Sequence, residues 1–200
     1  MFLFAVSIFL SAFLLFQIQP MIGKFLLPWF GGTPALWSTV LVFFQVLLTG
    51  GYAYAYWLIQ GVKPKHQSIV HVTLIALAFL LLFFLSTRWE SPITPDASWK
   101  PQDVSAPVLD VFGLLAVSVG LPYFLLAANG PLMQAWFSRQ FPERSYARLY
   151  VLSNLGSLLG LLVYPFAIET LLPLRVQGWA WTLGFMVFGL IAIRIASRGG

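Results

Sequence analysis

The sequence predicts an all-α, polytopic membrane protein built as a bundle of six transmembrane helices. Hydrophobic residues make up 60% of the 200 residues and charged residues 8%, which leaves too few polar groups to cover a soluble globule. Six windows reach the roughly 20 apolar residues that cross about 30 Å of hydrocarbon. Their connections are short except for residues 88–107, so we expect residues 1–200 to form a single transmembrane domain. The predicted spans are 2–19, 36–60, 68–87, 108–128 with an extension to 137, 147–171 and 178–196.

Composition also excludes several classes of function. The chain has no cysteine, which rules out disulfides, thiolate nucleophiles and cysteine-based metal sites. It contains no HExxH motif and no cluster of histidine with carboxylates, so we expect no metal, no cofactor and no catalytic residue. A net charge of +5 without a basic stripe of interleaved aromatics predicts no nucleic-acid partner. The expected partners are the lipid bilayer and either another protein or further copies of this chain in a homo-oligomer.

The first span is followed by a dense series of helix-breaking residues over 17–37. Pro20, Pro28 and Pro34 each remove a backbone donor, and two consecutive glycines follow Phe30. A continuous helix through this segment is therefore not expected. Lys24 and the neighbouring aromatic rings suit a layer that is wet on one side and apolar on the other. We predict an interfacial or re-entrant elbow here.

The second span carries features of both packing and anchoring. Gly50 and Gly51 give it a smooth surface that a neighbouring helix can approach closely. Gln45 lies deeper in the span and is expected to form a hydrogen bond to another helix. The end of the span is rich in amphipathic rings, which are typical of a membrane interface. These rings are Tyr52, Tyr54, Tyr56 and Trp57.

The third span and the loop after it are simpler. His71 is placed about one turn inside the membrane from Lys65 and His66, where an interfacial histidine would titrate near neutral pH. The segment 88–107 is the only long connection, and it is rich in proline and acidic residues. It is expected to be an aqueous loop.

The fourth span is too long for a straight membrane helix. From Pro107 to Phe137 the apolar pattern covers roughly 31 residues, or about 46 Å at 1.5 Å per residue. We predict a kink or break near Pro122 and a second near the Asn129, Gly130 and Pro131 step, since proline removes ladder bonds. Interrupted helices also build the midplane sites of many transporters. A kinked helix that ends in an interfacial foot is the alternative.

The fifth span carries the strongest packing signal, the string SNLGSLLG. Gly156 and Gly160 are four residues apart, with Ser153 and Ser157 in the same register. Such a face of small residues lets a second helix approach to backbone contact. Glu169, near the outer end of the span, is expected to be solvated or paired, for instance with Arg175.

The distribution of basic residues predicts the orientation of the domain. Seven lie on the side of the N-terminus, namely Lys63, Lys65, Arg139, Arg144, Arg148, Arg194 and Arg198. Four lie on the opposite side, namely Lys24, Arg88, Lys100 and Arg175. Both termini are therefore expected in the cytoplasm, with the acidic, proline-rich loop outside.

Polar side chains inside the spans are the candidates for ligand binding. Amides are expensive in lipid, so they tend to face one another or a wet pocket. The candidates are Gln17, Gln19, Lys24, Asn129, Gln134 and Asn154. The predicted topology puts the first three near the outer surface and Gln134 near the inner one, so they form two sites or none. Hydrogen bonding between helices is the alternative.

Three strings of the sequence carry a family resemblance: QPMIGKFLLPWFGGTPALW, SVGLPYFLLAANGPLMQAWFS and LYVLSNLGSLLGLLVYPFAIE. They resemble the N-terminal transmembrane domain of bacterial fused major-facilitator and spermidine-synthase-like membrane proteins, over essentially the whole chain. The resemblance implies a six-helix bundle similar to half of a major-facilitator transporter, located in the bacterial inner membrane. It also implies a following aminopropyltransferase-like domain, which these 200 residues do not contain.

Three functions remain open from the sequence. The first is a non-enzymatic membrane module that acts as an anchor or accessory subunit of a larger assembly. The second is a half-size, major-facilitator-like transporter that works as a dimer. The third is the membrane half of a split spermidine-synthase-like enzyme. Because no nucleotide-binding turn and no nucleophile with an adjacent base is present, the chain alone is expected to have no group-transfer activity.

Overall fold

The computed structural model describes residues 1–100 and 107–199, and this part of the chain folds as six long apolar helices. The predicted all-α, six-helix membrane bundle is confirmed. In chain order the helices are α1 (Phe2–Phe30), α2 (Pro34–Gly61), α3 (Pro64–Ser86), α4 (Val108–Gln140), α5 (Ala147–Leu171) and α6 (Leu174–Arg198).

Two helix starts follow from local chemistry. Pro34 and Pro64 stand at the first positions of α2 and α3, where the missing N–H would have no partner in any case. The Thr33 hydroxyl accepts a hydrogen bond from the Leu36 amide at 3.3 Å, which caps the free end of α2. These starts make the turns before α2 and α3 short.

The predicted elbow is wrong, because α1 continues as a helix through Pro20 and Pro28 to Phe30. A proline removes one ladder bond, and in a membrane bundle neighbouring helices make this tolerable. Here the added turns bury Met21 and Ile22 almost completely against the bundle. The chain turns instead at Gly31, whose φ of 73° is in the left-handed region that glycine adopts without strain.

One of the two interruptions expected in α4 is observed. A π-helical turn, Ala116–Gly120, lies directly before Pro122. Pro122 cannot donate to the carbonyl of Ser118, and the wider turn absorbs this loss. At the second predicted place the helix is not broken, since it continues through Pro131 to Gln140. Packing stabilises the helical turn that contains Pro131, because Leu132 and the residues around it are buried.

Packing centres on α1, which contacts α4, α5 and α6, while α2 packs on α4 and α3 on α6. The contact between α1 and α5 is made by Gly156 and Gly160. A methyl group placed on either would lie 2.6 Å from the carbonyl oxygen of Phe9 or Phe13, respectively. The two backbones are therefore in direct contact, as predicted from the face of small residues on α5.

The loop after α3 is only partly aqueous. In its described part, 88–100, Trp89 and Ile93 are buried, and Ser91 lies against Gly178 of α6. Asp96 is at the solvent side, where hydrogen bonds from the hydroxyl and amide of Ser98 hold the pKa of its carboxyl below the usual value. The rest of the predicted loop, with Pro101 and Asp103, lies outside the described residues.

Candidate functional site

A polar cleft lies between α2 and α5, with α1 and α4 as its floor. Its volume is about 190 Å³. The lining residues fall near the middle of the helices, so the cleft is close to the membrane midplane. They are Ser11, Ala12, Leu15, Phe16, Gln19, Gln45, Leu48, Tyr52, Tyr123, Leu126, Ala127, Gly130, Ser153 and Ser157.

The floor of the cleft is held by a hydrogen bond between α1 and α4. The Gln19 side-chain amide donates to the Tyr123 hydroxyl at 3.1 Å. The Tyr123 ring is fixed from behind by Phe44, with ring centroids 4.7 Å apart. Tyr123 directly follows Pro122 and the π-helical turn, so the irregularity in α4 sets the position of this side chain. Such turns are frequent at functional sites.

A second group of hydrogen bonds joins α1 and α4 closer to the N-terminal end of α1. The Asn129 amide donates to the Ser11 hydroxyl at 2.9 Å and to the Ser7 carbonyl at 3.2 Å. The Ser7 hydroxyl donates to the Asn129 amide oxygen at 3.3 Å. Asn129 and Ser7 are fully buried, whereas Ser11 reaches the cleft. This group therefore fixes α1 against α4 and orients one hydroxyl of the cleft.

The walls of the cleft are uncharged and mixed, with polar side chains beside apolar ones such as Leu15, Phe16 and Leu48. Ser153 and Ser157 line it from α5, and the Ser157 hydroxyl donates to the Ser153 carbonyl at 3.0 Å. Gln45 and Tyr52 line it from α2, and both are exposed in the isolated chain. No lysine, arginine, aspartate or glutamate is among the lining residues. The cleft can therefore bind a neutral solute through hydroxyl and amide groups.

The six predicted ligand-binding residues do not form one site. Gln19 lines the cleft, and Asn129 lies beneath its floor. Gln134 is half-buried outside the cleft, and Asn154 is exposed on α5 beside Ser157. The remaining two lie elsewhere in the bundle.

Gln17 and Lys24 take part in other contacts. Gln17 is buried on another side of α1, beside Gln177 and Trp181, and its amide nitrogen has no hydrogen-bond partner among the described residues. Lys24 forms an ion pair with Glu169 at 3.3 Å, so the suggested pairing of Glu169 with Arg175 is wrong. Since both side chains are about 40% exposed, this pair contributes at most about 1 kcal/mol.

Several cleft residues were not singled out from the sequence as binding residues. Tyr123 gives no such signal in the sequence, because a tyrosine in a membrane helix is common. The signal that was available is spacing, because Gln45 and Tyr52 lie seven residues apart on one face of α2. Ser153 and Ser157 likewise share one face of α5, although the sequence predicts only a packing role for them.

A separate polar cluster ties α2, α3 and α4 together near the end that carries the N-terminus. His71 is fully buried rather than interfacial, and its Nδ1 pairs with the Tyr54 hydroxyl at 3.3 Å. The Gln67 amide oxygen accepts from the Trp136 indole at 3.0 Å and from Arg139 at 2.8 Å. These residues hold the turn between α2 and α3 against α4, which is a structural role.

No family model, no curated protein and no solved structure matches the chain. Within residues 1–100 and 107–199, no three metal-ligating side chains lie together.

Proposed function

We propose that the chain is one half of a membrane unit that binds and transports a small polar solute, with a second copy closing the cleft across α2 and α5. Of the three functions left open by the sequence, this is the half-size transporter that works as a dimer. The observation that carries the proposal is a polar cleft at mid-membrane depth whose open side faces outward between two helices. Transporter sites lie at this depth, between two related halves.

The first support is the cost of leaving this side open to lipid. Gln45 on α2 and Asn154 on α5 are exposed at membrane depth, beside the cleft. An amide without a partner in hydrocarbon costs free energy. A protein surface across the cleft removes this cost, because it supplies hydrogen-bond partners or encloses water.

The second support is a match in membrane depth between the two helices that the proposed dimer brings together. A two-fold axis along the membrane normal, passing through the cleft, brings α2 of one copy against α5 of the other. Contacts within one chain relate the membrane depth of residues on α2 to that of residues on α5. Gly51 of α2 lies against Ala127 of α4, Asn129 of α4 bonds to Ser7 and Ser11 of α1, and Gly156 of α5 lies against α1 at Phe9. Exposed Tyr56 and Asn154 are therefore within about one helical turn, 5.4 Å, in depth.

The lining also limits the class of solute. It offers hydroxyl and amide groups but no carboxylate, imidazole or thiol. A polyamine, the substrate class suggested by the family resemblance, has no partner there for its charge. The same lining supplies no general base and no activated nucleophile, so we propose binding without catalysis. A purified chain that transferred aminopropyl groups would contradict this.

Cysteine cross-linking tests the dimer and its function together. The natural chain has no cysteine, so Tyr56→Cys and Asn154→Cys can be introduced without background. Co-expressed in one membrane, the two variants should form a disulfide-linked or short-linker dimer. Locking the two halves together should lower uptake of labelled xylitol into proteoliposomes severalfold, and reduction should restore it. The reason is that alternating access, in which the site opens to one side of the membrane and then the other, requires the two halves to move against each other.

The control pairs Asn154→Cys with Leu77→Cys, which is exposed on α3 away from the cleft. This pair should not cross-link. Equal cross-linking of both pairs would show random collision and overturn the proposed interface. A specific dimer without uptake of xylitol or glycerol would overturn transport and favour the anchoring function instead.

We infer that both termini of this domain face the cytoplasm, in a bacterial inner membrane. The support is the excess of basic residues on the side of the N-terminus. Ser98 precedes α4 and Ser145 follows it, so they lie on opposite sides of the membrane. In intact cells a membrane-impermeant maleimide should label Ser98→Cys and spare Ser145→Cys until the cells are opened. The reverse pattern would invert the orientation.

A further inference from the structure

A second cavity, separate from the cleft, lies where the start of α1 meets the start of α5. It has a volume of about 560 Å³. Its lining combines two arginines with an apolar wall, and consists of Met1, Ala5, Phe137, Arg144, Ser145, Ala147, Arg148, Leu149 and Leu152. We infer that this cavity binds one anionic phospholipid, with the phosphate on the two arginines and an acyl chain along the wall.

The charge of the cavity favours a phosphate. Arg144 lies in the turn before α5, and Arg148 lies in its first turn. Neither has a carboxylate within ion-pair distance in the described part of the chain. Arg139 is different, because it donates to Gln67 and to the Ile59 carbonyl. Arg144 donates one N–H to the Met1 sulfur at 3.0 Å, which is a weak acceptor. The other N–H donors of the two guanidinium groups can bind phosphate oxygens in pairs.

The apolar wall distinguishes a lipid from a free anion. Ala5 on α1 and Leu149 and Leu152 on α5 line the part of the cavity inside the predicted spans. Leu149 and Leu152 are three residues apart, so they share one face of α5. A free phosphate gains nothing from this wall, whereas an acyl chain buries area along it at about 25 cal/mol per Å². Basic pockets between helices are known to bind lipid head groups in this way.

Native mass spectrometry of the full chain in detergent tests this inference. Palmitoyl-oleoyl phosphatidylglycerol should remain bound as one molecule per chain and phosphatidylcholine should not. The double variant Arg144→Gln, Arg148→Gln should bind phosphatidylglycerol at least tenfold more weakly. The matched control is Arg194→Gln, Arg198→Gln, which removes two exposed arginines from α6 at the same side of the membrane. It should leave binding unchanged.

Two further arms separate a lipid site from general attraction of anions. Ala5→Phe fills the apolar wall while keeping both arginines, and it should weaken lipid binding severalfold. Inorganic phosphate at millimolar concentration should not displace the lipid. Equal loss in the control pair, full binding by Ala5→Phe, or displacement by phosphate would each overturn the inference. Unfolding of every variant in lipid-free detergent should match the natural chain, which excludes misfolding as the cause.

Discussion

Replacing Gly156 or Gly160 with leucine is expected to be the most destabilising change in this protein. Each glycine faces a backbone carbonyl of α1, and the first side-chain carbon would lie 2.6 Å from that oxygen. A flexible side chain could move aside, but a helix backbone moves only as a unit. Even alanine should cost about 1–3 kcal/mol through overpacking, and leucine more. Leucine should prevent α1 and α5 from packing at all.

The matched control is Gly113→Ala in α4. Gly113 is exposed, and a methyl group there would meet no other heavy atom within 4 Å. Since alanine is a better helix former by about 1 kcal/mol, this change should be neutral or slightly stabilising. Thermal unfolding in detergent measures both. Similar melting temperatures for Gly156→Ala, Gly160→Ala and Gly113→Ala would show that the contact between α1 and α5 is not tight.

The number of helices and their approximate positions could be predicted from hydropathy, because lipid requires about 20 apolar residues per crossing. The ends were less predictable. Pro20 and Pro28 are strong breakers in an isolated helix, but the cost of two lost bonds is offset when the added turns of α1 bury apolar surface against the bundle. That gain depends on tertiary contacts that the local sequence does not contain.

Which polar residues meet was the least predictable feature. In a membrane protein both the core and the lipid-facing surface are apolar, so hydropathy does not show which face of a helix points inward. Asn129 and Asn154 look alike in sequence, yet one is fully buried and the other exposed. Asn129 bonds to Ser7, 122 residues away. Small residues were more informative, because Gly156 and Gly160 mark a close approach whatever the partner.

These two asparagines also provide the second large effect. Asn129→Leu removes three hydrogen bonds between α4 and α1. At about 0.6 kcal/mol for each bond inside a membrane, the expected loss is about 2 kcal/mol. Asn129→Asp should be worse, because a carboxylate inside a membrane costs at least about 2.5 kcal/mol and two of the lost bonds were donated by the amide.

The comparison with Asn154 makes this prediction specific. Asn154→Leu removes an exposed amide, so unfolding of the monomer in detergent should be unchanged or slightly improved. For dimer formation in a bilayer we expect the reverse order, with Asn154→Leu the more harmful of the two changes. Asn154→Leu should weaken the dimer across the cleft, while Asn129→Leu should weaken the fold itself and leave the Ser11 hydroxyl with only its bond to the Ile8 carbonyl. Equal effects of the two leucine variants on monomer unfolding would contradict the buried bonding of Asn129. A double-mutant cycle isolates one of the three bonds. Ser7→Ala should cost stability in the natural chain and nothing further in the Asn129→Leu background, because the Ser7 hydroxyl then has no bond to Asn129 to lose.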